Sequence, residues 1–78
     1  MHPKLTDREN EILEQIAFGF TNREISRNLA ISESTVENHI HHIYMKLRIS
    51  NRAQAVVYAI QSETVLLDDV IENKGNPS

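Results

Sequence analysis

Three histidines stand almost together in this chain, His39, His41 and His42, and just before them lie Ser34, Thr35, Glu37 and Asn38. Imidazoles clustered in this way invite a metal. On a helix, however, His39 and His41 point about 160° apart, so only His39 and His42 share a face. No third ligand is placed beside that pair and there is no cysteine, so no specific metal site is expected. Nucleophile–base pairing and Gly-rich phosphate loops are absent from the sequence, and Glu11 and Glu14 belong to a solvated face. The expectation is therefore a protein that is not an enzyme and carries no cofactor. What remains is hydrogen-bonding chemistry: hydroxyls, an amide, a carboxylate and imidazoles, followed by Lys46 and Arg48. Presented on one surface, such groups read base edges or hold phosphates.

The elements that must present them are marked by caps. Thr6-Asp7-Arg8-Glu9 is a capping box, Ile12, Leu13, Ile16 and Ala17 recur at helical spacing, and Gly19 supplies a stop. The first helix is expected over about 7–18. Thr21-Asn22-Arg23-Glu24 repeats the box and opens a short helix with Ile25 and Leu29 inside, ending near Leu29. Ser32 starts the third helix only two residues after Ala30, so Ile31 must plug a tight corner. Over 33–48, Val36, Ile40, Ile43 and Leu47 fall within about 60° of arc, a narrow core stripe. The opposite side carries Ser34, Glu37, Asn38, His41, Met45 and Arg48. Ser50 or Asn51 caps a fourth helix, whose Ala53, Val56, Val57, Ala59 and Ile60 spread over more than one stripe. Beyond Ser62, apolar residues such as Val65, Leu66, Leu67, Val70 and Ile71 continue a helix or strap back over the core, before a frayed end at 73–78. The fold class is all-α with four helices: one domain over 1–62, and an acidic, partly disordered extension over 63–78.

Bulk properties narrow the partner. The chain has 78 residues and a formal net charge of −3, enough for one modest core. Residues 63–78 hold four acids and one base, whereas 23–52 hold five bases, three acids and three of the four histidines. Positive charge thus gathers in the middle, as a DNA-facing element requires, though mildly. No apolar run approaches the ~18 residues of a membrane span, and the first residues do not read as a secretory signal. A cytoplasmic, nucleoid-associated protein without membrane contact is expected.

A short helix, a tight turn and a longer helix with one buried and one polar side form the helix-turn-helix plan, here at about 20–43. The major groove admits one α-helix, while the preceding helix braces it and touches the backbone. Any small helical bundle also owns a helix with a polar face, so periodicity alone leaves a protein-interaction module open.

The residues then reach a known pattern. Leu5-Thr6-x-Arg8-Glu9 with Ile12-Leu13, Ile16-Ala17 and Gly19 resembles the opening of the LuxR-type (GerE- or NarL-like) DNA-binding domain. Asn22-x-Glu24-Ile25, Leu29 and Ile31-Ser32-x-x-Thr35-Val36-x-x-His39 resemble its helix-turn-helix. Lys46-Leu47-x-Ile49-x-Asn51-Arg52-x-Gln54-Ala55-Val56 is similar to its exit and fourth helix. The likeness runs from Leu5 to about Ile60 in order and without gaps. It implies a bacterial transcriptional regulator, or the response-regulator output domain of one, binding double-stranded promoter DNA as a homodimer through the fourth helix. An upstream receiver or ligand-sensing domain and RNA polymerase are further candidate partners.

By the same resemblance the base-edge positions are Glu37, Asn38 and His41. Phosphate contacts are expected at Thr35, Lys46 and Arg48, with Asn22 and Arg23 at the start of the second helix. Ser34 offers its hydroxyl to a phosphate, and His42 adds charge near the groove when protonated. Ala53, Val57 and Ile60 either form the dimer seam or finish the core. Three departures stand out: Glu37 where lysine is frequent, His41 where a basic residue is frequent, and Arg48 where glycine usually follows Lys-Leu. Glu37 either reads a cytosine amine or is held aside by Arg48. Arg52 either meets phosphate or holds a carboxylate within the fold. His39 and Tyr44 are read as packing residues. The alternatives of another class are a sigma-factor-like promoter reader and the protein-interaction module.

Overall fold

The computed structural model describes residues 4–62 together with Thr64, Asp68, Asp69 and Ile71. Four helices follow in order, α1 (Asp7–Ala17), α2 (Asn22–Leu29), α3 (Glu33–Leu47) and α4 (Arg52–Gln61), with no strand among the described residues. Each starts at a side-chain cap. The Thr6 hydroxyl accepts the Glu9 N–H at 3.1 Å while the Glu9 carboxylate accepts the Thr6 N–H at 2.8 Å. Thr21 and Glu24 repeat those contacts at the same distances. Ser32 caps α3 by accepting the Thr35 N–H, and Asn51 caps α4 by accepting the Gln54 N–H. Such caps contribute about 1 kcal/mol each. Asn51, not Ser50, is the cap of α4; the Ser50 N–H instead donates to the Gln54 side chain at 2.6 Å.

The helix ends differ from the sequence expectation at two places. α1 stops at Ala17 and Phe18 forms its C-cap, after which Gly19 takes φ 91° and reverses the chain. α3 stops at Leu47, because Arg48 adopts the left-handed region at φ 56°, ψ 45°. The Ile49 N–H then donates back to the Tyr44 carbonyl at 3.0 Å. Ala30 closes α2 in the same way, at φ 56°, with the Ile31 N–H on the Ser26 carbonyl. Two helix ends therefore use the left-handed conformation without glycine, at a cost of about 1 kcal/mol each.

α1 packs against α3 and α4, and α2 against α3. The core holds Leu5, Ile12, Leu13, Ile16 and Ala17, together with Ile25, Val36, Ile40 and Ile43. Leu47, Ile31, Phe20 and Tyr44 close its rim, partly buried. α4 contributes two buried residues, Ala55 and Ala59, one turn apart. Small side chains let the helix backbones approach closely. Val56, Tyr58 and Ile60 are partly buried, whereas Ala53 is exposed and Val57 is 51% exposed.

Past α4, Asp68, Asp69 and Ile71 are helical and exposed. The remaining apolar residues of the expected extension, Val65, Leu66, Leu67 and Val70, lie outside the described residues, as does the segment 73–78.

Candidate nucleic-acid interface

α3 divides into two faces. Val36, Ile40 and Ile43 are buried, while Ser34, Glu37, Asn38, His41, His42 and Met45 are exposed. The polar face is therefore a continuous outer surface of the longest helix. Met45 is the most exposed large apolar residue on it, at 64%. His39 is half-buried, and the His41 and His42 rings lie 6.1 Å apart. Among the described residues, no three His, Asp or Glu side chains come together as a metal-binding group.

The first turn of α3 is tightly organised. The Ser32 hydroxyl accepts the Thr35 N–H at 3.0 Å and lies 2.9 Å from the Thr35 hydroxyl. Thr35 is half-buried and engaged with the cap, whereas Ser34 is exposed and makes no hydrogen bond among the described residues. Glu37 forms no ion pair among the described residues, so Arg48 does not hold it aside. Its carboxylate stands open on the outer face, with Asn38 beside it.

The far end of α3 behaves differently. Lys46 donates from Nζ to Glu9 Oε1 at 2.7 Å, joining the last turn of α3 to the first turn of α1. Burial raises the pKa of the Glu9 carboxyl. The Lys46 ammonium and the N–H and hydroxyl of Thr6 outweigh that effect, and the net pKa lies below the ordinary value. Lys46 is thus already paired within the fold, although 35% of its side chain remains exposed. Arg48 is exposed and projects from the left-handed residue that ends the helix.

At the start of α2, Arg23 is exposed and Asn22 is half-buried. Arg52 reaches this corner from α4, donating to Asn22 Oδ1 at 2.9 Å and to the Phe20 carbonyl. Arg52 is therefore engaged within the fold, as one sequence alternative had it, but by an amide and a carbonyl oxygen instead of a carboxylate. These two partners, and the reach of Lys46 to Glu9, escape sequence reasoning. Contacts spanning 30–37 positions leave no periodic signal.

Ile49, just before α4, and Ala53, Gln54, Val57, Tyr58 and Gln61 on it line a shallow groove. Ala53 and Val57 face outward there, and Ile60 packs partly against the core. The described helices include none long and apolar enough to cross a membrane.

Comparison with known proteins places this arrangement. Residues 3–59 match the family described as bacterial regulatory proteins, luxR family. The transcriptional regulatory protein LiaR of Bacillus subtilis is 50% identical over 64 residues, which cover 82% of this chain and 30% of LiaR. An uncharacterised transcriptional regulatory protein of the same organism, YxjL, is 47% identical over 60 residues, covering 77% of this chain and 28% of that protein. Among solved structures, the response regulator ChrA of a heme-sensing two-component system superposes with a TM-score of 0.75 at 40% identity. That match covers 83% of this chain and 32% of ChrA. The chain spans less than a third of the length of each of these relatives.

Proposed function

The chain belongs to the luxR family of bacterial regulatory proteins, and from that premise we propose that it binds double-stranded promoter DNA sequence-specifically to regulate transcription. The observation that carries this reading is the two-faced α3. A buried apolar stripe fixes the helix to the domain, and the opposite face leaves Ser34, Glu37, Asn38 and His41 exposed, without a hydrogen bond or ion pair among the described residues. In the major groove Glu37 accepts from a cytosine amine, and Asn38 pairs with adenine. His41 adds a donor or acceptor beside them. Arg23, Arg48, Ser34, Thr35, Asn22 and His42 meet the phosphates. Lys46 lies near them, but Glu9 already offsets its charge.

The reading extends to the assembly. Val57 and Ala53 are apolar and exposed on α4, and with Ile60 they form the seam of a homodimer whose two α3 helices reach successive half-sites. Relatives about two and a half times as long support an additional domain upstream, a receiver or sensor, with RNA polymerase as the partner at the promoter. The setting is the cytoplasm, at the nucleoid.

Selection of bound sequences from random duplexes, repeated with Glu37→Lys, tests the proposal. The wild-type chain should enrich a two-fold-related sequence, and the substitution should change the preferred base at one position in each half-site. Rising affinity with unchanged preference would show that Glu37 only repels phosphate. Absence of any enriched sequence would leave the sigma-like and protein-interaction alternatives in its place.

A further inference from the structure

Arg52 opens α4, yet its guanidinium lies against the start of α2. One nitrogen donates to Asn22 Oδ1 at 2.9 Å and the other to the Phe20 carbonyl. A guanidinium carries donors only, so the Asn22 atom that faces it is the amide oxygen. The amide nitrogen is turned the other way. It has no partner among the described residues, and none of their buried side-chain nitrogens or oxygens lacks one. Asn22 Nδ2 therefore reaches solvent with its two donors uncommitted.

The surroundings of that nitrogen are equally one-sided. The neighbouring acid, Glu24, is folded back onto the Thr21 N–H at 2.8 Å, and the Thr21 hydroxyl is taken by the Glu24 N–H. Arg23, next in sequence, is exposed and has no ion pair among the described residues. This corner thus offers the Asn22 amide donors and the Arg23 guanidinium, with the half-buried Arg52 charge behind them. An acceptor-rich anion such as a phosphate diester is the complementary ligand.

We infer that Arg52 is a positioning residue for DNA binding, locking the Asn22 amide so that its NH₂ group donates to a backbone phosphate. The inference rests on the DNA-binding reading above. It gives the two residues different duties: Asn22 touches the phosphate, and Arg52 acts only through Asn22. It also ties the first residue of α4, the helix of the proposed dimer seam, to the phosphate-facing start of α2.

The test is a thermodynamic cycle on the full chain and a duplex selected by it. Equilibrium affinities are measured for wild type, Asn22→Ala, Asn22→Asp and Arg52→Gln. Each is measured on the native duplex and on duplexes carrying one neutral methylphosphonate at successive backbone positions. One position per half-site should cost the wild type about tenfold to a hundredfold, the worth of one hydrogen bond to a charged group. The same position should cost Asn22→Ala nothing further, and Arg52→Gln should lose most of that coupling with Asn22 still present. Asn22→Asp keeps the Arg52 contact as an ion pair, so its melting temperature should hold or rise. It turns a carboxylate oxygen toward the phosphate, however, and should lose at least about tenfold in affinity. Full affinity in a folded Asn22→Asp variant, or no phosphate coupled to Asn22, would overturn the inference while leaving DNA binding intact. Failure of the wild type to bind any duplex would overturn the DNA-binding reading itself, and this inference with it.

Discussion

Glu9 and Lys46 are 37 positions apart in sequence, yet their charged atoms meet at 2.7 Å. The same Glu9 oxygen also accepts the Thr6 N–H. One carboxylate oxygen, in a residue only 4% exposed, thus closes the capping box of α1 and fastens the last turn of α3. The orientation of the proposed reading helix depends on this joint. Replacing Lys46 with Gln should cost about 1–3 kcal/mol, discounted for the 35% exposure of the lysine side chain. Chemical denaturation measures that loss. The slope of log affinity against log salt should hardly move, whereas a free phosphate contact would change it by about 0.9.

The same joint gives stability a pH dependence. The folded Glu9 carboxyl titrates below its ordinary value. The folded state therefore gives up this proton more readily than the unfolded chain, where glutamate titrates at about 4.3. The contribution is complete above that unfolded value and is lost as pH falls through the lower folded one. Thermal melts from neutral to acid pH should show this decline in the wild type. Glu9→Gln should start less stable and decline less steeply over the same interval.

Arg48 sets stability against affinity. Its backbone is left-handed at φ 56°, which glycine adopts without steric cost. Arg48→Gly should stabilise the fold by about 1 kcal/mol. Removing an exposed cation beside the proposed phosphate track should weaken DNA binding at the same time. Melting temperature and affinity, measured on one preparation, should move in opposite directions. A gain in both would remove Arg48 from the interface.

Val57 tests the seam. It is 51% exposed in the groove of α4, so Val57→Glu should leave the melting temperature of the isolated domain nearly unchanged. It should abolish cooperative binding to paired half-sites while leaving single half-site affinity in place. Sedimentation and binding to both duplex types separate the two effects. Equal loss on single and paired sites would argue against a seam there.

Local chemistry is what the sequence discloses well. Thr6 with Glu9 and Thr21 with Glu24 are caps within four residues, and each forms as expected. The α3 stripe of Val36, Ile40 and Ile43 is likewise set by helical period alone. Arg48 shows the boundary of such reasoning. The helical pattern runs on to 48, but the chain turns left-handed at Arg48 and the Ile49 N–H donates back to the Tyr44 carbonyl. On α4 the choice of buried face stayed open for a related reason. Its apolar residues surround the helix, and periodicity does not reveal that the close approach falls on Ala55 and Ala59. Of the proposed interface, the exposure of the outer face of α3 was legible in the sequence. The fixing of Asn22 by Arg52 was not, because it depends on how α4 lands on α2.

The pair of alanines has a consequence for how this sequence can drift. At Ala55 and Ala59, both wholly enclosed, only glycine is smaller, and any larger side chain must push neighbouring helices apart. Ala53 and Val57, facing outward on the same helix, carry no such constraint from the monomer. If the fourth helix were randomised and survivors kept for folding alone, the two enclosed positions would return almost unchanged while the outer ones scattered. Kept instead for paired-site binding, the outer positions would narrow as well. The difference between the two pools would draw the outline of the partner's footprint on α4.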